Sequence, residues 1–480
     1  MALFSRQTHN STAAEPPAPD LGWVDEFIRN VKPYIHVREE DSLLIRKPNQ
    51  AHRLNDQGVR VLRFLLDGGR ASSLAAMVRE PEQLDDIALF LFEVRRCLEG
   101  TLRDGNHTRA VVVEPLAVNF SQLPVLSEVA LTSRCNLRCL FCYAGCACGK
   151  GQAAGSGPAS GSEPASGIGT ALTRPEMTTA EVKKVLEKIY HEAQVPSVSF
   201  TGGEPLLRDD IYQLISHAAA TGFRVNLITN GTLVNEKVAG KLRAAGLDSA
   251  QVSLEGTVPE VHESVTGVAH SFERSVAAVA CLSEAGITVH TNTTMNRRNL
   301  EDCLEMPYFV KTRLGLERFS MNLVIPSGSA AHNEPLLVRY SEAGDYIDRI
   351  LESSNDLGVE FMWYSPTPLC IFNPIIRGLG NKGCAACDGL LSVDCNGDVL
   401  PCSSFADPVG NILARDFREI WDSRRARSYR LKELAHPLCH GCDNLNACHG
   451  ACPLYWRHFG YGELEARQAG AFEKNRVAHV

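Results

Sequence analysis

Several things are scarce in this 480-residue chain, and each absence excludes something. No apolar run approaches the roughly 18 residues that a membrane-spanning helix needs, so no membrane association is expected. Basic residues are not in surplus: 48 Lys and Arg stand against 56 Asp and Glu, a formal net charge of −8. A nucleic-acid partner, which would show a basic patch or stripe, is therefore not expected. The opening stretch MALFSRQTHNSTAAEPPAPD lacks the apolar core of a signal peptide and reads as a disordered tail over residues 1–22. A cytoplasmic location is the expectation. The remaining composition, 44% hydrophobic and 22% charged, is that of ordinary globular protein, and the length suggests two or three domains.

Cysteine, by contrast, is abundant. There are 17 in all, too many for a chain without an export signal unless they bind metal. Cys135, Cys139, Cys142, Cys146 and Cys148 lie within fourteen residues, and nine more lie between Cys370 and Cys452. Cys97, Cys281 and Cys303 are scattered and read as buried apolar thiols. The stretch SRCNLRCLFCYAGC places Cys135, Cys139 and Cys142 in a C-x3-C-x2-C spacing. A tetrahedral zinc site takes four ligands, and iron–sulfur clusters usually take four thiolates. Three thiolates on a four-iron cluster leave one iron for a substrate or cofactor.

Around this loop the chain is organised in parts. Between residues 23 and 105, short β-like runs in HVREEDSLLIRKPNQAHRLND precede a helix with Val59, Leu62, Leu65 and Leu66 on one face. A short helix near 73–79 and another over 83–99 complete a strand–helix module. The stretch 146–175, rich in Gly, Ser, Ala and Pro, reads as a flexible insertion with Cys146 and Cys148 at its root. Beyond it a βα rhythm begins, its first helix capped by Thr178 or Thr179 with Glu181 nearby. Strands alternating with helices predict an α/β fold with a parallel sheet, as a barrel or part of one. In such folds ligands gather at the carboxyl ends of strands. Three motifs sit there: TGGEP, where Gly202 and Gly203 would let a backbone approach a ligand and Glu204 would add a carboxylate; ITNGT, with Asn230; and SLEG, with Ser253 and Glu255.

In this order after the cysteine loop, the motifs resemble the radical S-adenosylmethionine superfamily across residues 124–340. That resemblance implies a partial (β/α)6 TIM-like barrel. It implies that Cys135, Cys139 and Cys142 hold a 4Fe–4S cluster whose fourth iron chelates S-adenosylmethionine, and so generate a 5′-deoxyadenosyl radical. Tyr143 would lie near the adenine, and Gly202, Gly203 and Glu204 near the methionyl amino group. Ser253 would reach the carboxylate or ribose, with Asn230 and Glu255 as further cofactor contacts. The arginine that relatives often carry beyond SLEG is missing from HESVTGVAHSF, which leaves the carboxylate partner unassigned.

The later cysteines resemble the SPASM extension of such enzymes, over residues 365–480. Cys387, Gly397-x4-Cys402 and the run Cys439-x2-Cys442-x5-Cys448-x3-Cys452 match its pattern. The resemblance implies one auxiliary 4Fe–4S cluster on Cys387, Cys402, Cys452 and an earlier cysteine, of which Cys384 is the nearest and Cys370 the rival. A second would be held by Cys439, Cys442 and Cys448. Family members often take a fourth ligand from a later cysteine, and the residues after Cys452 contain none. An upstream thiol such as Cys370, a side chain such as Asp443, His440 or His449, or an open iron are the alternatives. No role is read for Cys395.

The N-terminal stretch LLIRKPNQAHRLNDQGVRVLRFLLDG resembles a PqqD-type winged-helix module that binds precursor leader peptides, by strand addition. The three resemblances together imply an enzyme that modifies a ribosomally made precursor peptide, supplied with electrons by a donor such as flavodoxin or ferredoxin. Thioether cross-linking follows most naturally, with carbon–carbon cross-linking, epimerisation and decarboxylation as other outcomes. The rival reading is a related enzyme acting on a small molecule or tetrapyrrole.

Overall fold

The computed structural model describes residues 19–48, 50–78, 81–99, 121–146 and 175–466. Most of the expected tail, most of the Gly/Ser-rich insertion, and Cys148 lie outside the described residues. The chain divides into two compact units, Met1–Arg46 with Gln50–Pro115, and Lys47–Asn49 with Leu116–Val480.

In the first unit, β1 (Ile35–Arg38), β2 (Leu43–Arg46) and β3 (Gln50–Arg53) form an antiparallel sheet in that order, so β1 and β3 are its edges. Asn55 accepts the Gly58 N–H at 2.7 Å and starts a helix over Asp56–Leu66, as the Asn-Asp turn predicts. Its apolar face, Val59, Leu62 and Leu65, packs with Val37 and Leu44 in one core. Two differences from the sequence reading have simple causes. A helix at Val24–Val31 precedes the sheet: Val24, Phe27, Ile28 and Val31 recur at helical spacing and pack into the core, in a stretch to which the sequence reading assigns no element. These helices are α1 (Val24–Val31) and α2 (Asp56–Leu66). The expected short helix near 73–79 is a 3-10 segment over Ala71–Met77, followed by α3 (Pro81–Glu99).

The second unit is built on a ten-stranded sheet. Its strands are β4 (Leu126–Ala130), β5 (Ser197–Thr201), β6 (Arg224–Thr229), β7 (Ser249–Ser253), β8 (Thr288–Met295), β9 (Arg318–Leu323) and β10 (Glu360–Trp363), all parallel and in sequence order. Between them run α4 (Thr179–His191), α5 (Ile211–Thr221), α6 (Glu236–Ala244), α7 (Pro259–Thr266), α8 (Ser271–Glu284), α9 (Met306–Thr312) and α10 (Tyr340–Leu357). Six βα units and a seventh strand make the open, partial barrel that the rhythm predicts. The capping box forms at α4: Glu181 N–H donates to Thr178 Oγ1, and Thr178 N–H to Glu181 Oε2.

The described residues from 365 onward do not build a separate sheet. Strand β11 (Leu390–Val393) pairs in parallel with β4, and β12 (Asp398–Leu400) and β13 (Gly410–Asn411) extend it antiparallel. Short helices follow: α11 (Phe417–Trp421), α12 (Arg424–Arg430), α13 (Pro437–His440), α14 (Leu445–Cys448) and α15 (Pro453–Phe459).

The register separates the two faces of the sheet. Val129, Phe200, Leu227, Ala250 and Val289 align on one face and join the core with Val182, Leu186, Leu214 and Leu242 of the helices. On the other, Glu128, Ser199, Asn226 and Ser249 align, and so do Gln251 with His290 and Asn292 with Ser320. These inward groups bond to one another: Ser249 Oγ to Asn226 Oδ1 at 2.7 Å, Ser320 Oγ to Asn292 Oδ1 at 2.9 Å, Asn292 Nδ2 to Asn322 Oδ1 at 2.7 Å. Buried polar groups persist when paired, so the barrel interior is a polar chamber. Among the described residues no helix is long and apolar enough to cross a membrane.

Candidate functional site

The cysteine loop leaves β4 at its carboxyl end and is gripped by four other elements. The first grip is TGGEP, after β5. Gly203 N–H donates to Thr132 O at 2.7 Å, and Glu204 N–H to Arg134 O at 2.8 Å. The two backbones lie so close that a Cβ on Gly203 would stand 2.1 Å from Arg134 O, and one on Gly202 (φ +137°) 2.4 Å from Thr132 O. The glycines are thus required by the loop itself, before any ligand is considered. The second grip is ITNGT, after β6. Asn230 Nδ2 donates to Asn136 Oδ1 at 2.9 Å, Asn136 Nδ2 to Thr232 Oγ1 at 2.8 Å, and Asn230 Oδ1 accepts from the Thr232 N–H and hydroxyl. At the end of α7, Thr266 O and Val265 O accept from Arg138 N–H and Leu140 N–H, each at 2.9 Å. Beyond β9, Ser329 N–H donates to Cys142 O at 2.8 Å and Asn333 Nδ2 to Leu140 O at 3.0 Å. A Cβ on Gly328 would stand 2.3 Å from both Cys142 O and Tyr143 O.

Two of the expected cofactor contacts also have partners within the protein. Glu204 is fully buried: Oε1 accepts from Leu206 N–H and Thr229 Oγ1, and Oε2 from Asn230 N–H. It ties the end of β5 to the end of β6, and burial holds its carboxyl above the usual range despite those bonds. Asn230 likewise spends its amide on the cysteine loop. Sequence alone could not distinguish a brace from a ligand contact, because both place a polar side chain at a strand end. Thr232, Asn136, Gly328 and Asn333 were not read from the sequence, and a lone Gly or Asn in a loop carries no signal of this kind.

The other expected residues lie as follows. Glu255 is buried beside Cys139, accepts the Thr294 N–H at 2.8 Å through Oε2, and is pushed up to about 8 by burial. His262 Nδ1 accepts the Glu255 backbone N–H at 3.0 Å, so the imidazole is neutral at that nitrogen, and burial takes its pKa down to about 4. Ser253 ends β7 half-buried on the inward face, with no hydrogen-bond partner for its hydroxyl among the described residues. Tyr143 turns inward to hydrogen-bond Thr201 near Glu128, and burial raises its phenol. Phe141 goes the other way, against Val324, Ala330 and Leu337. Cys146 joins the three expected thiols and bonds to Cys142, which lowers Cys142 to about 6; burial raises Cys135 and Cys139.

The later cysteines form two groups. Cys387 N–H donates to Pro401 O at 3.0 Å, which brings Cys387 to the Cys402 turn. The thiols of Cys384, Cys402 and Cys452 lie together, and Cys384 also neighbours Cys387. Burial pushes Cys387 and Cys452 up to about 12 each. Cations flank this group: the buried Lys432 reaches Cys384 O and Asp388 Oδ2, each at 2.8 Å, and Arg430 Nε donates to Cys387 O at 3.1 Å. The second group is Cys439, Cys442 and Cys448, and Cys370 stands beside it. Cys395 belongs to neither; its thiol lies near Asp394, Glu176 and Arg208.

These donor sets fit iron–sulfur clusters. Buried thiols with raised pKa values ionise when a cation binds them, so the protein supplies the ligands and the metal the counter-charge. Among the described residues no three ligating side chains converge tightly enough for a single metal ion; thiols at the corners of a multi-iron cluster need not do so. The braces make a direct prediction. Gly203→Ala puts a carbon into the Arg134 carbonyl, so the cysteine loop must shift. The expected outcome is loss of about four irons with retention of the rest, read by iron and sulfide analysis of the anaerobically reconstituted protein.

Comparison with known proteins agrees with the site. Residues 129–306 match the radical SAM superfamily, and residues 384–443 match SPASM, an iron–sulfur cluster-binding domain. An AdoMet-dependent heme synthase of Methanosarcina barkeri is 28% identical over 352 residues, 69% of this chain and 92% of that protein. A PqqA peptide cyclase of Xanthomonas campestris is 27% identical over 345 residues, 69% of this chain and 81% of that one. Among solved structures, Streptococcus suis SuiB bound to its precursor peptide SuiA superposes with a TM-score of 0.62 at 16% identity, covering 88% of this chain and 95% of SuiB. At that identity the likeness is one of fold.

Proposed function

Since the chain is a radical S-adenosylmethionine enzyme with an auxiliary iron–sulfur domain, we propose that it modifies a ribosomally made precursor peptide. The radical SAM domain binds a 4Fe–4S cluster and S-adenosylmethionine, and the SPASM domain binds auxiliary iron–sulfur clusters. Bound together, the reduced cluster and S-adenosylmethionine supply a 5′-deoxyadenosyl radical able to take hydrogen from an unactivated carbon. Cys135, Cys139 and Cys142 hold that cluster. Ser253 and Glu255 face the same strand ends, and the polar interior positions the substrate and keeps it from competing reactions.

The observation that carries the peptide reading is the N-terminal module. Residues 116–480 make up about three quarters of the chain, so a fold match covering 88% takes in part of that module as well. Its sheet has β1 and β3 as edges, and β3 is short and half-exposed, a place where an extended leader can add as a further strand. Tethering the leader raises the local concentration of the segment to be modified to roughly millimolar. Electrons come from an external donor such as flavodoxin or ferredoxin.

The heme synthases favour a second reading, a tetrapyrrole substrate. Their 69% coverage can be met within residues 116–480 alone, so that likeness does not call on the N-terminal module. The experiment pairs the reconstituted enzyme, S-adenosylmethionine and reductant with a short precursor encoded beside its gene, or with tetrapyrrole precursors. The expected result is a peptide lighter by two hydrogens for each cross-link, or a changed residue configuration at unchanged mass. Consumption of a tetrapyrrole with the peptide untouched overturns the proposal.

A further inference from the structure

Cys439, Cys442 and Cys448 supply three thiolates, and the fourth corner of their cluster is unassigned by the motif. The turn after β10 reaches into this place. It is held firmly on both sides of Cys370. Before it, the buried Trp363 donates through Nε1 to Thr367 Oγ1 at 2.9 Å, and Thr367 Oγ1 donates to Ser365 O at 3.0 Å. After it, Ile371 and Phe372 N–H groups donate to Pro368 O at 2.9 and 3.0 Å, and the buried Phe372 lies against Gly344 of α10. Between these anchors, Leu369 N–H donates to Cys448 Sγ at 3.4 Å, which fixes residues 369–370 against the third cysteine of the run. Backbone N–H groups aimed at cysteine sulfur are among the features that set the potential of an iron–sulfur site. The cysteine run is itself shaped by turns: Cys442 N–H donates to Cys439 O at 3.1 Å, and Cys448 N–H to Asn444 O at 2.8 Å.

We propose that Cys370 is the fourth thiolate of the cluster held by Cys439, Cys442 and Cys448, closing it from upstream of the run. The Cys439 thiol independently has Cys370 among its neighbours, along with Cys448 and Cys442. The competing ligands are less well placed. His449 directs Nδ1 to Cys384 O at 3.1 Å, on the side of the first cysteine group. His440 and Asp443 are exposed, as Cys370 is, but have no contact to the run comparable to the Leu369 N–H bond to Cys448 Sγ among the described residues. Cys384, the other upstream candidate, is committed to Cys402 and Cys452. On binding iron the Cys370 thiol releases its proton to solvent, with no change of oxidation state required. A cluster closed by four thiolates offers no vacant iron to a substrate thiol, so this cluster is an electron carrier.

The test uses the full chain, anaerobically reconstituted, and reads ligation instead of turnover. Cys370 is exposed in the structure, so its alkylation by iodoacetamide should be slowed more than about tenfold in the loaded protein relative to the chelator-stripped chain, because iron occupies the reactive thiolate. Cys281, outside both groups, should react alike in the two forms. Cys370→Ala and Cys370→Ser should each lose about one iron on mild oxidation and show a three-iron electron paramagnetic resonance signal absent from the unaltered protein. Equal alkylation of Cys370 in the two forms overturns the assignment. So does appearance of the three-iron signal with His440→Ala or Asp443→Ala and not with Cys370→Ala. Protection from alkylation needs no variant, so a misfolded substitution does not decide the matter. None of these readings involves a substrate, so their failure would leave the peptide proposal standing, and the reverse.

Discussion

Replacing Cys135, Cys139 and Cys142 together with Ala will abolish formation of 5′-deoxyadenosine while leaving about eight of about twelve irons in place. The three thiols share one loop, gripped by the strand ends of the barrel, whereas the other two groups are set by the β11–β12 hairpin, α13, α14 and the turn after β10. Among the described residues, no backbone hydrogen bond that shapes the later groups runs to the 135–142 loop. The variant should therefore fold and load its auxiliary clusters. Iron and sulfide analysis with a 5′-deoxyadenosine assay reads both halves of the prediction at once. Continued production of 5′-deoxyadenosine would place the radical cluster elsewhere, and loss of all iron would show that the auxiliary groups depend on the first.

Removal of residues 1–110 will weaken precursor binding at least about a hundredfold, about 2.7 kcal/mol, with little effect on cleavage of S-adenosylmethionine in the absence of peptide. The module has its own core, Val37, Leu44, Val59, Leu62 and Leu65, and its sheet is separate from the barrel sheet. Every hydrogen bond described at the cysteine loop is made by residues beyond Ala130. Strand addition gains affinity from a row of backbone hydrogen bonds at a sheet edge, and these vanish with the edge. Titration of a labelled precursor against the two forms, beside an uncoupled cleavage assay, separates the effects. Equal affinity would remove leader binding from the N-terminal module. Loss of uncoupled cleavage would instead mean that the truncation had damaged the barrel.

Much of this molecule was legible in its sequence, because short-range spacing encodes both secondary structure and ligand sets. The alternation of apolar strands with capped helices predicted a parallel sheet, and of the two caps the pattern offers, Thr178 and Thr179, the helix takes Thr178, boxed with Glu181. The C-x3-C-x2-C run marked a group of thiols, since three cysteines on one turn-rich loop must stay together however the rest folds. TGGEP, ITNGT and SLEG were placed at strand ends, where they are found.

What the tertiary structure decided was the use of each residue, which depends on neighbours distant in the chain. Glu204 and Asn230 read as ligand contacts in sequence, and only folding shows that the carboxylate also meets two backbone N–H groups and the amide the cysteine loop. Gly328 and Asn333 became part of that loop's cradle only because β9 ends beside it, nearly two hundred residues later. The sorting of the late cysteines has the same origin. Spacing cannot tell Cys384 from Cys370, because each lies upstream of both groups. In the fold the Cys384 thiol lies beside Cys402 and Cys452, whereas the Leu369 N–H bond to Cys448 Sγ holds the neighbouring Cys370 against the other group. A hydrogen bond across 79 residues leaves no trace in local periodicity, and a ligand set closed by such contacts can be read only once the chain has folded.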